Sequence, residues 1–421
     1  MTTLARSLAL ALLAAIVCRA QHEALAERID EKLDDLPRGS HAAVLVVNPL
    51  ISDTLYQRNI HEPMILASNT KLFTTAVALY LLGPDYPLST KLLCDDDNLR
   101  DGVLDGNLYV KGYGNSAFDS DDLDRFAQTV LDSGATLITG DVIGDDLYFD
   151  SEYIRRDWIE DEQTSVDLPP VSALSLDKNQ TLKEYRYRRR LRRKWVNISN
   201  PPLFFAERLR DSLVAKGATV QGEPHRGFTP PNAVEIADAS IPLKELVKIV
   251  NKRSDNFRAE VLFKTLGAAA TGDQGNAMNS SQTIHKFLKD NGIYKDGAKL
   301  VDGSGLSRYN YASADQIVAL LTFLYLDVRM FDVYYSSLSV AGVDGTLSGR
   351  MQGASAEFNF RGKTGTLNGV STVSGYLVTS RGEELIVSVL MSFNRRGAGH
   401  YRAVQDEIIE MLASYDYSPY D

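Results

Sequence analysis

Met64-Ile65-Leu66-Ala67-Ser68-Asn69-Thr70-Lys71-Leu72-Phe73-Thr74-Thr75-Ala76-Val77-Ala78-Leu79-Tyr80 is the stretch on which the reading of this chain turns. An apolar run behind Ser-x-x-Lys predicts a helix that begins at or near Ser68. A spacing of three is almost one turn, so the Lys71 amine lies on the same face as the Ser68 hydroxyl. Such a lysine can take the serine's proton if it is neutral part of the time, which burial and a second nearby cation favour by lowering its pKa. A serine at a helix N-terminus also sits where free backbone NH groups and the helix dipole favour a developing oxyanion. The plainer reading makes Ser68 an N-cap and Lys71 a solvated helix residue.

Ser175-Leu176-Asp177-Lys178 repeats the Ser-x-x-Lys pattern. It follows Pro169-Pro170, is bounded by Asn179-Gln180 and has no apolar helical run after it. It therefore reads as a loop, and helical context assigns the nucleophile to Ser68.

Two further strings extend the pattern. Ser254-Asp255-Asn256 follows an i, i+3, i+4, i+7 stripe of Leu243, Leu246, Val247 and Val250, and precedes a second apolar segment, Phe257 to Leu266. It reads as a short connection between two helices that pushes Ser254 and Asn256 into a cleft while Asp255 points elsewhere. There Ser254 would relay a proton to a leaving amine, and Asn256 would hold Lys71 and a substrate amide carbonyl. As a bare string, Ser-Asp-Asn is more often a polar turn. A rival, Tyr113-Gly114-Asn115, sits in a turn after the strand-like Leu108 to Lys111.

Lys363-Thr364-Gly365-Thr366 opens a segment followed by Thr372 to Thr379, a turn at Arg381-Gly382, and Leu385 to Ser392. Period-two apolar runs on both sides of that turn predict adjacent antiparallel strands, with Lys363 to Thr366 on a strand beside the Ser68 helix. The Lys363 cation can then meet a carboxylate. Gly365 leaves room for a substrate backbone, and the Thr366 NH can join the Ser68 NH as an oxyanion hole.

The three strings in this order are the shared mark of penicillin-binding proteins and serine β-lactamases. From about Ala42 to Met411 the chain resembles the low-molecular-mass class C penicillin-binding proteins, the S13-type D-alanyl-D-alanine carboxypeptidases and endopeptidases. The similar stretches include Leu104 to Gly112, Ser172 to Asp177, Asn251 to Asn256, Asp302 to Arg308, Ala341 to Leu347 and Lys363 to Gly369. The resemblance implies an acyl-enzyme mechanism on the stem peptides of peptidoglycan, acylation by β-lactam antibiotics, and no cofactor. It makes Ser68 the nucleophile, Lys71 the general base, Ser254 the relay, Asn256 the positioner, and Lys363 with Thr364 the carboxylate clamp. Ser304 and Arg308 are similar to family positions near the pocket for the diaminopimelic side chain.

Two features depart from the pattern. Gly112-Tyr113-Gly114-Asn115-Ser116 stands where family members often continue Gly-x-Gly with Asp-Pro, and only 186 residues separate Ser68 from Ser254. A β-lactamase is the alternative within enzymes, but no Glu-x-x-Leu-Asn string occurs, as class A members would require for deacylation. A non-catalytic wall-binding or antibiotic-sensing module is the alternative outside enzymes. Carboxypeptidase and crosslink-cleaving endopeptidase stay unseparated.

The fold class expected is α/β (α+β), an antiparallel sheet flanked by helices plus a large strand-rich insertion. Ala43 to Val47 and Leu55 to Arg58 read as a hairpin, and Tyr401 to Ala413 as a C-terminal amphipathic helix. The catalytic domain would then comprise 21–90 and 240–421, with 91–239 inserted. Arg6 followed by the apolar Leu8 to Val17 and by Ala20 reads as a secretory signal over 1–20, which places the mature chain in the periplasm or another extracytoplasmic space. Lipidation at Cys18 is the weaker reading, because Val17 stands where a small residue is wanted.

Loss of the signal removes Arg6 and Arg19, two positive charges, and takes the net charge from -10 to -12. That balance argues against nucleic acid as a partner. Lys183 to Lys194 is the local exception, with eight basic residues and one acid, Glu184. It reads as a charge-guarded edge strand or hairpin, or more sharply as a contact with anionic wall polymers or lipid head groups. Only Cys94 remains after the signal, so no internal disulfide is expected. His61-Glu62 lacks the second histidine of a zinc helix, so no metal is expected.

Overall fold

The computed structural model describes residues 22–95, 99–158, 168–188 and 190–416. The segment read as a secretory signal, Cys18 included, lies outside them.

The central sheet is built from both ends of the chain. Strands β1 (His41–Asn48) and β2 (Asp53–Arg58) form the N-terminal hairpin. Strands β3 (Ser339–Val340), β4 (Phe360–Leu367), β5 (Val370–Val378) and β6 (Glu384–Ser392) come from the C-terminal part. The order is β3-β4-β5-β6-β1-β2, and every neighbouring pair is antiparallel.

Alternation along β1 shows how the sheet is buried. Ala43 and Leu45 face one apolar core, while Ala42, Val44 and Val46 face another, as a period of two requires. The first core holds helix α1 (Thr70–Leu82) with α2 (Leu243–Arg253) and α3 (Asn256–Thr271). The second holds the helix over 22–34, through Leu25, Ile29 and Leu33, and α4 (Ala398–Ala413), through Tyr401, Ile408, Ile409 and Leu412. The result is a helix–sheet–helix stack. It buries both faces of β5, whose residues are buried from Val370 to Leu377.

Between α1 and α2 the chain forms a five-stranded sheet in the order Pro224–Arg226, Val142–Asp145, Leu108–Gly112, Pro87–Cys94, Val234–Pro242. A four-stranded sheet and the helices Ser120–Asp132 and Pro201–Ala215 lie in the same segment. It has its own core, in which Leu108, Val110, Phe118, Phe126, Phe205 and Leu209 meet. We propose that the catalytic and inserted units divide here, with the separate core as support; the first strand of this sheet in the chain begins at Pro87 and the last ends at Pro242, a few residues beyond 91–239. A two-stranded ribbon, Gln180–Tyr187 with Arg190–Asn197, pairs only with itself.

Candidate active site

Ser68 lies in a single 3-10 turn, Ala67–Asn69, that runs directly into α1. Ala67 has a φ of 48°, a left-handed conformation that a side chain disfavours, so the chain turns sharply just before the serine. The turn is pinned from β5, where the Thr372 hydroxyl donates to the Leu66 carbonyl at 2.9 Å and Ser374 Oγ accepts from Asn69 Nδ2 at 2.9 Å.

One turn on, Lys71 is fully buried. Its Nζ donates to Ser68 Oγ at 3.0 Å, Asn256 Oδ1 at 2.7 Å and the Ser304 carbonyl at 2.5 Å. Burial lowers its pKa to about 8, against the opposing pull of Glu260, Asp302 and Asp255. An amine in that state is neutral in a useful fraction near neutral pH and points at the hydroxyl it would deprotonate.

Ser254 ends α2 in the left-handed region, φ 53°, and Asp255 caps α3 by accepting from Arg258 N at 3.1 Å. This reversal aims consecutive side chains in different directions. Asp255 turns toward Lys178 Nζ, 2.5 Å away, and Arg258 Nη1, 2.8 Å away. Burial opposes its ionisation, but these two cations outweigh it and hold the carboxyl below its ordinary range. Asn256 turns the other way, to Lys71.

Strand β4 completes the site. Lys363 Nζ donates to Ser254 Oγ at 2.9 Å and to the Thr364 carbonyl at 2.7 Å. Its pKa lies well below the ordinary lysine value, first through burial and then through the neighbouring Lys71. A Cβ on Gly365 would stand 2.2 Å from Thr372 Oγ1, 2.8 Å from the Leu66 carbonyl and 2.9 Å from Ser68 N. Only glycine lets β4 pass this close to the Ser68 amide.

An open cleft of ≈ 450 Å³ runs along this junction, lined among others by Ser68, Ser254, Thr364, Thr366, Arg350 and Arg402. Arg350 is occupied, with its guanidinium on Asp406 at 2.6 Å and on Gln405 at 3.2 Å. Arg402, on α4, is exposed and donates to Thr366 Oγ1 at 3.3 Å. Sequence reasoning missed Arg402, since nothing local ties a helix 36 residues further on to β4. It also missed Glu260, one turn beyond Asn256, whose signal was a lone acid among the apolar Phe257, Ala259, Val261, Leu262 and Phe263 of that helix. Glu260 accepts from Ser304 N at 2.7 Å and Gly303 N at 3.1 Å, and so holds the loop whose carbonyl receives Lys71. Burial, then Asp302, raises its pKa to about 7.

The remaining sequence candidates fall into place around this centre. Ser304 is buried and reaches Lys71 through its carbonyl, while its hydroxyl accepts from Leu306 N at 3.3 Å. Arg308 donates twice to the Asn368 carbonyl, at 2.9 Å, in the turn after β4. Ser175 is buried and donates to the Ser172 carbonyl at 3.1 Å, whereas Lys178 goes to Asp255. Asn115 of the rival string donates to the Ala239 carbonyl at 2.9 Å, within the inserted segment. Among the described residues no group of three or more His, Cys, Asp or Glu is placed to hold a metal ion.

A serine at a helix start, a neutralisable lysine one turn on, and a strand edge carrying a cation and hydroxyls define a serine acyl-enzyme of the penicillin-binding fold. The chain belongs to the D-Ala-D-Ala carboxypeptidase 3 (S13) family, whose model matches residues 25–190 and 186–415. It is 29% identical to a D-alanyl-D-alanine carboxypeptidase from an Actinomadura species, over 93% of this chain and 85% of that one. The crystal structure of penicillin-binding protein 4 from Haemophilus influenzae superposes with a TM-score of 0.81, at 22% identity, covering 91% of this chain and 99% of that chain. A structure of the same Haemophilus protein complexed with a β-lactam gives 0.78 at 21% identity, covering 92% and 99%.

Proposed function

We propose that this chain is a serine D-alanyl-D-alanine carboxypeptidase and endopeptidase of peptidoglycan stem peptides, acylated by penicillin on Ser68. Neutral Lys71 takes the Ser68 proton as Oγ bonds to the carbonyl carbon of the penultimate D-alanine. The oxyanion is received by the NH groups of Ser68 and Thr366. Ser254, held by Lys363, gives its proton to the leaving amine as the peptide bond breaks and takes in turn the proton that Lys71 removed from Ser68, so both are restored, and Asn256 keeps Lys71 in line. Water then hydrolyses the ester, and Ser68 regains its proton. The leaving residue's carboxylate lies by Thr364, Thr366 and Arg402, a cation and two hydroxyls at one end of the cleft, while Lys363, expected from the sequence to be that cation, is buried with its amine on Ser254. Arg308 belongs to the wall for the stem-peptide side chain, whereas Ser304, also expected there from the sequence, is fully buried and serves Lys71 through its carbonyl.

The observation that carries this reading is the 3.0 Å contact between Lys71 Nζ and Ser68 Oγ, made by a buried lysine whose pKa is lowered to about 8. The test is intact mass after incubation with benzylpenicillin, with Ser68→Ala alongside. A lasting adduct on the wild type alone supports the reading. A folded Ser68→Ala protein that still acylates sinks it, and consumption of the drug without an adduct points to a β-lactamase.

The same reading includes secretion to an extracytoplasmic space and contact of the basic segment Lys183 to Lys194 with an anionic wall or membrane surface. The excess of bases in that segment, eight against one acid, is its support.

A further inference from the structure

The basic ribbon is exposed on both faces from Lys183 to Tyr187 and from Arg190 to Trp195. Its register sorts the side chains. Lys183, Tyr185 and Tyr187 lie opposite Lys194, Arg192 and Arg190 on one face, which holds no acid. The other face sets Leu182, Glu184 and Arg186 opposite Trp195, Arg193 and Leu191, and there Glu184 neutralises Arg193 at 2.7 Å. One face is therefore cationic with two tyrosines, and the other mixes Leu182, Leu191 and Trp195 with Arg186 and the Glu184–Arg193 pair. Leu191, toward the ribbon tip, is 59% exposed, and Trp195, at its base, is 54% exposed.

Charge and reach add a second argument. The segment carries +7, eight bases and one acid, so the rest of the chain, at -10 overall, carries -17. An anionic surface repels that body and attracts the ribbon. A strand of eight residues spans about 26 Å, and screening acts over about 8 Å at physiological salt. The ribbon tip can touch such a surface while the acidic body stays beyond the range of repulsion.

We propose that this ribbon docks the enzyme on an anionic phospholipid bilayer, which makes specific the anionic-surface contact of the reading above. A soluble polyanion needs cations alone. A bilayer also takes Tyr185, Tyr187 and Leu191, which lie toward the ribbon tip, since aromatic and aliphatic groups settle at the head-group level while lysine and arginine meet phosphates. Arg188 and Arg192 lie 5.4 and 5.1 Å from the Tyr187 ring, so cation and ring approach the surface together.

The test is co-sedimentation of the mature chain with vesicles of phosphatidylcholine alone or mixed with phosphatidylglycerol, across a salt series. Binding is expected only with phosphatidylglycerol. Arg190→Gln/Arg192→Gln/Lys194→Gln is expected to weaken it about a hundredfold. Tyr187→Ser/Leu191→Ser is expected to keep binding at low salt and lose the part that survives high salt. Equal binding to both vesicles, binding that the triple variant retains, or no binding overturns the proposal. So does equal affinity for soluble polyglycerol phosphate that ignores Tyr187→Ser/Leu191→Ser, which assigns the ribbon to a wall polymer. Melting curves confirm that each variant is folded. Benzylpenicillin adducts, measured in parallel, show separately whether the catalytic reading stands.

Discussion

Lys178 Nζ donates to Asp255 Oδ2 at 2.5 Å, so the second Ser-x-x-Lys string of the chain braces the Ser-Asp-Asn motif instead of forming a nucleophile. Asp255 keeps Arg258 at 2.8 Å and the Arg258 amide at 3.1 Å when Lys178 is lost. Lys178 is itself 37% exposed, which weakens the pair. Lys178→Met is therefore expected to cost only about 1 kcal/mol in urea unfolding. Asp255→Ala, which strands two cations and uncaps α3, is expected to cost about 3 kcal/mol or more and to slow acylation with it. Equal effects from the two variants would refute this ranking.

Ser175→Ala tests the same assignment from the other side. Its hydroxyl donates to the Ser172 carbonyl and faces no base. The expected result is an unchanged rate of penicillin acylation and a stability loss of about 1 kcal/mol.

The pH dependence of acylation follows from Lys71. The competent form is the neutral amine, whose pKa burial lowers to about 8. The rate is expected to rise with pH and level off above about 8, falling about tenfold per pH unit on the acid side. Glu260 raises the Lys71 pKa, and Asp302 and Arg155 are the other charged groups that act on Glu260. Where Glu260 is ionised, from about pH 7 upward, Glu260→Gln removes a charge that raises the Lys71 pKa and moves that part of the acid limb to lower pH. A limb that stays in place while overall activity drops would reduce Glu260 to a purely structural role.

Gly365→Ala places a methyl 2.9 Å from Ser68 N and 2.2 Å from Thr372 Oγ1. The strand must retreat, and the amide that receives the oxyanion moves with it. Acylation is expected to fall about 10²- to 10³-fold, the usual effect of losing one oxyanion donor. Stopped-flow acylation, with a melting curve for the fold, measures it.

Arg402→Gln removes the exposed cation beside Thr366. For a peptide ending in free D-alanine, KM is expected to rise about tenfold with kcat little changed, as for one charge-assisted hydrogen bond. The same peptide ending in D-alaninamide is expected to show no change. Equal losses on both substrates would place Arg402 outside the carboxylate site.

Much of the fold was legible because it rests on local periodicity. The hairpin read at Ala43 to Val47 and Leu55 to Arg58 lies within β1 and β2, and the C-terminal helix read from Tyr401 begins at Ala398. Strand β5 was legible as a strand, but its burial on both faces was not. That burial depends on a helical layer drawn from residues 22–34 and Ala398–Ala413, at opposite ends of the chain.

By itself the sequence determined the three motifs, their order, and the three-residue step that sets Lys71 on the Ser68 face, because one helical turn encodes that contact. Only the tertiary structure decided which lysine serves which serine. Lys363 meets Ser254 across 109 residues, and Lys178 meets Asp255 across 77. It also decided that Arg402 joins Thr366 and that Glu260 holds the loop receiving Lys71. Such contacts follow from how helices and strands pack into a shared core. No local spacing carries that information, because the chain between the partners runs through other elements of the fold.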